Sequence, residues 1–257
     1  MAAKEVGRLL KSAVNSALSP LGLAITRVGG HDWSDTSNFI PLESTLEQAK
    51  AAGLSVGDYV DGVMNKTPGM TQRTMDELVD HGVFEKPPRV VVEIGPGTGR
   101  YLERTLQLCR PERYEIYETA GAWSAYLVKK HGVVLRRTDG YTLSETPDGS
   151  VDLVHAHKVF SSVPFMVTCC YFHEMARVLR PGGWAVFDVM TEHCLSDSAM
   201  QTWARSGIHN GAYPAVMPNA IAVEFFTSRG FRHVGSASIP MPPGTTELML
   251  FQREPAG

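Results

Sequence analysis

The stretch Val90-Val91-Val92-Glu93-Ile94-Gly95-Pro96-Gly97-Thr98-Gly99-Arg100 constrains the fold more than any other part of the chain. Three valines in a row suit a parallel strand covered on both faces. Gly95, Gly97 and Gly99 then form a turn poor in β-carbons. A small ligand can approach the backbone there, and the next helix can pack closely on the strand. That helix is expected from about Arg100, with Tyr101, Leu102, Leu106 and Cys109 apolar, and it stops at Arg110-Pro111.

Strands and helices alternate from here. Strands are expected at residues 89–94, 114–118, 133–137, 151–156 and 184–189, with helices between them. A helix near 219–229 and two last strands, 231–239 and 247–252, follow. Alternation of this kind means a doubly wound, mostly parallel α/β sheet with right-handed crossovers. The final pair, joined by a short Pro-rich loop, reads as an antiparallel hairpin at one edge. Residues 1–88 read as an N-terminal helical cap. It has an amphipathic helix over 4–18, docked on the domain or on a second subunit of a homodimer. A further helix begins near Leu46, capped by Ser44 or Thr45, and two more cover 55–64 and 71–82. Residues 89–257 form the core, interrupted by an irregular insertion over 190–220.

Composition excludes several classes of function. A net charge of -3 on 257 residues carries no basic surplus for nucleic acid or an anionic membrane. No apolar run is long enough to span a bilayer, and residues 1–30 do not read as a signal peptide. The 4 cysteines show no CxxC spacing, which suits packed thiols in a reducing cytoplasm. No ligand spacing demands a metal.

The turn by itself would suit NAD, FAD, a nucleotide phosphate or S-adenosylmethionine. The dinucleotide fingerprint G-x-G-x-x-G/A needs a small residue where this chain has Arg100, and no G-K-[ST] follows for a phosphate loop. Glu118 ends the second strand, where a carboxylate can accept from both ribose hydroxyls of an adenosine, or can simply be solvated. Asp139-Gly140 follows the third strand and can read an adenine edge. Glu93 is a carboxylate in an apolar strand, costly to bury without a partner. These groups lie at successive strand C-terminal ends, where open α/β sheets bind ligands.

V-V-E-I-G-P-G-T-G-R, Glu118, Asp139-Gly140, P-D-G-S-V-D-L-V-H-A-H and V-L-R-P-G-G-W-A-V-F-D-V together resemble the successive motifs of class I S-adenosylmethionine-dependent methyltransferases. The resemblance covers residues 89–190 and, loosely, the last two strands. It implies a seven-stranded Rossmann-like sheet with an antiparallel last strand. It places Gly95, Pro96, Gly97 and Gly99 along the methionyl part of S-adenosylmethionine and Glu93 at its amino-acid end. It places Glu118 and Thr119 at the ribose, Asp139 and Gly140 at the adenine, and Ala156 beside the cofactor. Where such chains often continue as L-H-H-L after the fourth strand, this one has Val159-Phe160-Ser161-Ser162-Val163.

Methyl transfer to a hydroxyl needs alignment and removal of a proton. His157 is the first candidate for general base, against a role in orienting its loop. Glu192 and His193 are the second, and His155 reads as facing the sheet. Tyr59, Trp203 and Tyr213 are aromatic residues outside the core that would suit stacking on a sugar, against ordinary packing. The segment around W-A-R-S-G-I-H-N-G-A-Y-P is similar to bacterial sugar O-methyltransferases, including those of methylated mannose polysaccharides. The reading is a cytoplasmic sugar O-methyltransferase. The alternatives are methylation of a quinone or polyketide, suggested by Met64, Met70, Met190 and Met217, an NAD-type oxidoreductase, and a cofactor-binding protein without turnover.

Overall fold

Val90–Ile94 forms β1, the strand from which the sheet is built outward. Its residues alternate between two cores. Val92 and Ile94 join the apolar cluster on one face, and Val91 joins the cluster on the other. An unbroken apolar run is stable here because neither face meets water. A computed structural model describes residues 40–210 and 214–255, with side chains for 40–205 and 214–255. All of them belong to one compact unit, Trp33–Gly257. The expected amphipathic helix over 4–18 lies outside the described residues.

In chain order the elements are α1 (Leu42–Ala51), a short α2 (Val56–Tyr59) running into a π-helical turn (Val60–Met64), α3 (Met70–Asp80) and β1. Then come α4 (Arg100–Cys109), β2 (Arg113–Tyr117), α5 (Gly121–His131), β3 (Val134–Arg136), β4 (Val151–Ala156), α6 (Phe165–Val178) and β5 (Leu179–Val189). A 3-10 turn (Glu192–Cys194), α7 (Asp197–Asn210), α8 (Asn219–Thr227), β6 (Phe231–Met241) and β7 (Gly244–Arg253) complete them. The seven strands lie in the order β3-β2-β1-β4-β5-β7-β6. β7 runs antiparallel to both β5 and β6, and the other pairs are parallel. This is the doubly wound, seven-stranded sheet expected, with its hairpin at one edge.

Three local expectations change. The helix near Leu46 begins at Leu42, so Thr45 sits inside it and donates its hydroxyl to the Pro41 carbonyl at 2.6 Å instead of capping. Strand β5 starts at Leu179 and not at Trp184, because Leu179 pairs with Val151 across a bulge before the regular register resumes at Leu153 and Trp184. The insertion is not irregular throughout, since α7 occupies much of it. Ser196 supplies the start signal: its carbonyl accepts from the Met200 N–H at 2.9 Å and its hydroxyl from the Ala199 N–H at 3.4 Å.

The helices before β1 are held to the sheet by both core and polar contacts. Met70, Met75 and Leu78 of α3 share a cluster with Tyr101 and Leu102 of α4. Asp61, in the π-helical turn, accepts from the Thr71 N–H at 2.8 Å, the Thr71 hydroxyl at 3.0 Å and Arg100 Nη1 at 2.8 Å. The same buried carboxylate therefore joins the helices before β1 to the start of α4.

Candidate functional site

A cavity of about 600 Å³ opens at the C-terminal ends of β1, β2 and β4. Gly95, Pro96, Gly97 and Thr98 form its floor, and Glu118, Thr119 and Gly140 line the β2–β3 side. His157, Lys158 and Val159 come from the end of β4, and Val60, Met64 and Met70 from the cap. Pro240, Met241 and Pro242 close the hairpin side.

The glycines of the turn divide their work. Gly97 has φ 53°, and a β-carbon there would project into open space beside the cavity. Gly99 has φ 80°, but a β-carbon there would come within 2.3 Å of Leu127 Cδ2. Gly99 does not line the cavity; it lets α5 pack on the start of α4, which corrects its assignment to the cofactor. Glu118 is buried at the cavity wall, accepting from the Gly97 N–H at 2.6 Å and the Ala120 N–H at 2.7 Å. Burial raises its pKa against the pull of these backbone donors.

Glu93 is not among the lining residues, contrary to its expected place at the amino-acid end of a cofactor. The pleat turns it into the sheet's interior face. Its Oε2 accepts from Tyr114 Oη at 2.6 Å, and Tyr114 Oη lies 2.8 Å from His155 Nε2. Burial pushes the Glu93 pKa up to about 8. His155 faces the sheet as expected, fully buried. Asp139 also stays off the lining: its carboxylate closes its own turn by accepting from the Tyr141 and Thr142 N–H groups at 3.0 and 2.8 Å, leaving Gly140 at the wall. Ala156 is buried in the core below the site and does not reach it.

His157 does line the cavity. Its ring stacks on Tyr101 at 4.2 Å between centroids. Its Nδ1 stands 3.8 Å from Asp188 Oδ1, too far for a hydrogen bond, and neither ring nitrogen has a partner among the described residues. Burial lowers its pKa to about 4 despite Asp188, so the imidazole is neutral at neutral pH.

The second candidate bases are elsewhere. Glu192 accepts from the Asn219 N–H at 2.8 Å, His193 Nδ1 lies 3.0 Å from Glu247 Oε2, and neither lines the cavity. The two tie the 3-10 turn to α8 and β7. Tyr59 donates to Gln48 Oε1 at 2.6 Å, inside the cap. Trp203 packs over Gly244 at the hairpin turn. Neither aromatic reaches the cavity, and Tyr213 lies outside the described residues. Lys158 and Arg100 are lining residues that the sequence reading did not assign. The signal for Arg100 was its anomalous place in the glycine motif; Lys158 had none beyond its position after β4.

A family model described as a methyltransferase domain matches residues 70–234, more than half of the chain. The chain belongs to the class I S-adenosylmethionine-dependent methyltransferases. Solved structures of similar fold include the magnesium protoporphyrin IX methyltransferase of Synechocystis with bound S-adenosylhomocysteine. It has 11% identity and a TM-score of 0.59, over 87% of this chain and 97% of that one. An O-methyltransferase family protein from Burkholderia thailandensis shows 17% identity and a TM-score of 0.58, over 96% and 84%. The N-methyltransferase NodS of Bradyrhizobium japonicum, in complex with S-adenosylhomocysteine, shows 17% identity and a TM-score of 0.53, over 71% and 86%. At these identities the likeness to this methyltransferase is one of fold. No curated protein matches the sequence. Among the described residues no helix is long and apolar enough to cross a membrane.

Proposed function

We propose that this chain transfers a methyl group from S-adenosylmethionine to a small, largely apolar acceptor. The observation that carries the reading is the mixed lining of the cavity. It offers Gly97 and the Glu118 carboxylate beside the apolar side chains of Val60, Met64, Met70, Val163 and Met241. Pockets of this size, apolar with a few fixed polar groups, suit small molecules.

The residues present fit the cofactor. Gly97 keeps the floor open beside the turn, and Glu118 stands at the β2 end with acceptor capacity beyond its backbone donors at Gly97, Thr119 and Ala120. In this reading Glu118 holds the ribose, Thr119 and Gly140 flank the adenosine, and Gly95 and Pro96 follow the methionyl chain. When bound, the cofactor supplies an electrophilic methyl group. The chain's own contribution is to position the acceptor and keep water out. His157, neutral and with no hydrogen-bond partner among the described residues, serves better as a hydrogen-bond acceptor that orients a hydroxyl than as a strong base.

A carbohydrate hydroxyl is the competing acceptor, and Asn65, Ser161 and Ser162 are the lining groups that would serve it. Calorimetry with S-adenosylhomocysteine and with NADH tests the cofactor: binding of NADH alone would refute it. Transfer of radiolabelled methyl into lipid and sugar extracts tests the acceptor. Label in the lipid fraction supports an apolar acceptor, and label confined to sugars would overturn it.

A further inference from the structure

The cavity carries a charge arrangement that an apolar pocket does not need. Two cations line it, Arg100 and Lys158, and each is backed by a carboxylate that does not. Side-chain exposure is 11% for Arg100 against 3% for Asp61, and 14% for Lys158 against 1% for Asp188. In both pairs the cation, and not the carboxylate, belongs to the residue that lines the cavity. Among the described lining residues the only acid is Glu118, at the β2 end.

The Lys158 pair is built with care. Lys158 has φ 60°, a left-handed backbone conformation that a residue with a β-carbon adopts at a cost. Asp188 Oδ1 holds it there by accepting the Lys158 N–H at 2.7 Å. Asp188 Oδ2 lies 3.0 Å from Nζ and accepts the Thr246 hydroxyl at 2.6 Å. Lys158 Nζ in turn donates to Thr246 Oγ1 at 2.5 Å. Burial is the largest influence on Asp188 and would raise its pKa, but Lys158, His157 and the Thr246 hydroxyl together outweigh it and lower the pKa. The ammonium is thus fixed by β5 and β7 at the end of β4, on the opposite side of the glycine turn from Glu118.

We infer that the acceptor presents an oxyanion, a phenolate, enolate or carboxylate on an apolar body, and that Lys158 holds that oxygen. This rests on the proposed methyl transfer and names its acceptor class. The acceptor gives up its proton to solvent before the step. The oxygen then forms its bond to the methyl carbon as the carbon–sulfur bond breaks, and the electron pair stays on sulfur. The negative charge of the oxygen and the positive charge of the sulfonium cancel. Asp188 and Thr246 occupy two of the three Nζ donor positions, which leaves one for the acceptor's oxygen.

Binding of three nitroarene probes tests this: 4-nitrophenolate, 4-nitrobenzoate and uncharged nitrobenzene, titrated calorimetrically at a pH where the first two are ionised. The titrations run with and without S-adenosylhomocysteine. At least one anion is expected to bind about tenfold tighter than nitrobenzene or better. Phenolate preferred over benzoate selects a hydroxyl nucleophile, and the reverse selects a carboxylate. Lys158→Arg keeps the preference. Lys158→Met strands a buried carboxylate and can unfold the chain, so Lys158→Met with Asp188→Asn is made beside it. In that pair the preference falls to about twofold or less. Nitrobenzene binding as well as both anions, or a preference that survives in the double variant, overturns the inference. Failure to bind S-adenosylhomocysteine refutes the methyl-transfer reading instead, while the anion preference is still read from the titrations without it.

Discussion

Alanine at Gly99 and at Gly97 should damage this protein in different ways, although the two positions are neighbours in one turn. Both glycines have positive φ, so each substitution incurs about 1–2 kcal/mol of backbone strain. At Gly97 nothing lies within 4 Å of the new β-carbon, so strain is the whole stability cost. At Gly99 the β-carbon meets Leu127 Cδ2 at 2.3 Å. Leu127 is fully buried, so it can move only by displacing its neighbours, and overpacking of this kind adds about 1–3 kcal/mol. The sums are about 1.5 kcal/mol for Gly97→Ala and about 3.5 kcal/mol for Gly99→Ala. At about 2–4 °C per kcal/mol for a domain of this size, melting should fall by about 3–6 °C and about 7–14 °C.

Affinity should follow the opposite order. Gly97→Ala puts a methyl group at the cavity floor and weakens S-adenosylhomocysteine binding, whereas Gly99→Ala, assayed below its melting transition, retains most of it. Differential scanning calorimetry and isothermal titration together read both quantities. A double-mutant cycle of Gly99→Ala with Leu127→Ala should show favourable coupling, since the second change removes the clash. Equal melting temperatures for the two single variants, or wild-type affinity in Gly97→Ala, would refute the division of roles.

Replacing Glu118 by Ala should lower S-adenosylhomocysteine affinity by about tenfold or more, since a charged hydrogen-bond partner is lost; unchanged affinity in titration calorimetry would remove its role. The Glu93 pKa is raised from 4.5 to about 8, so the folded state holds a proton that the unfolded state releases. Its contribution is complete below the unfolded value and is lost as pH rises toward 8, with a limiting slope of about 1.4 kcal/mol per pH unit. His157 acts in the opposite sense, its depressed pKa of about 4 costing stability as pH falls from 6.5. Above that range Glu93 acts without it, so urea denaturation should show stability declining toward pH 8 in the wild type and a flatter profile in Glu93→Gln; identical profiles would contradict the burial argument. Asp61→Ala leaves Arg100 and Thr71 without their shared acceptor and should cost about 3–5 kcal/mol, with hydrogen exchange rising over residues 55–80; a variant melting like wild type would show that the clamp is idle.

The order of elements was legible because it depends on local signals. The predicted helix from Arg100 to Cys109 and the strand over 151–156 match the observed bounds. Unbroken apolar runs, glycine at helix ends and proline after them act within a few residues of one another. The glycine turn with Glu118 was legible for the same reason: a ligand site at strand ends follows from alternation alone. Helix α7 was missed although Ser196 announces it, since the polar residues that follow obscure its apolar side.

Contacts between distant parts of the chain were not legible. Glu93 lies in β1 as expected, yet it turns away from the cavity toward Tyr114 and His155, which arrive through the pairing of β1 with β2 and β4. The Asp61–Arg100 and Lys158–Asp188 pairs join residues from different elements, and no periodicity announces them. Tyr59 and Trp203 look like site residues by type, but Gln48 of α1 and the hairpin give them other partners. The sequence by itself therefore determined an α/β sheet with a ligand turn at β1, because propensity and pattern act over one or two turns of chain. Only the tertiary structure decided which polar groups reach the cavity. That depends on strand order and on which buried charges find partners, and both are properties of the assembled sheet.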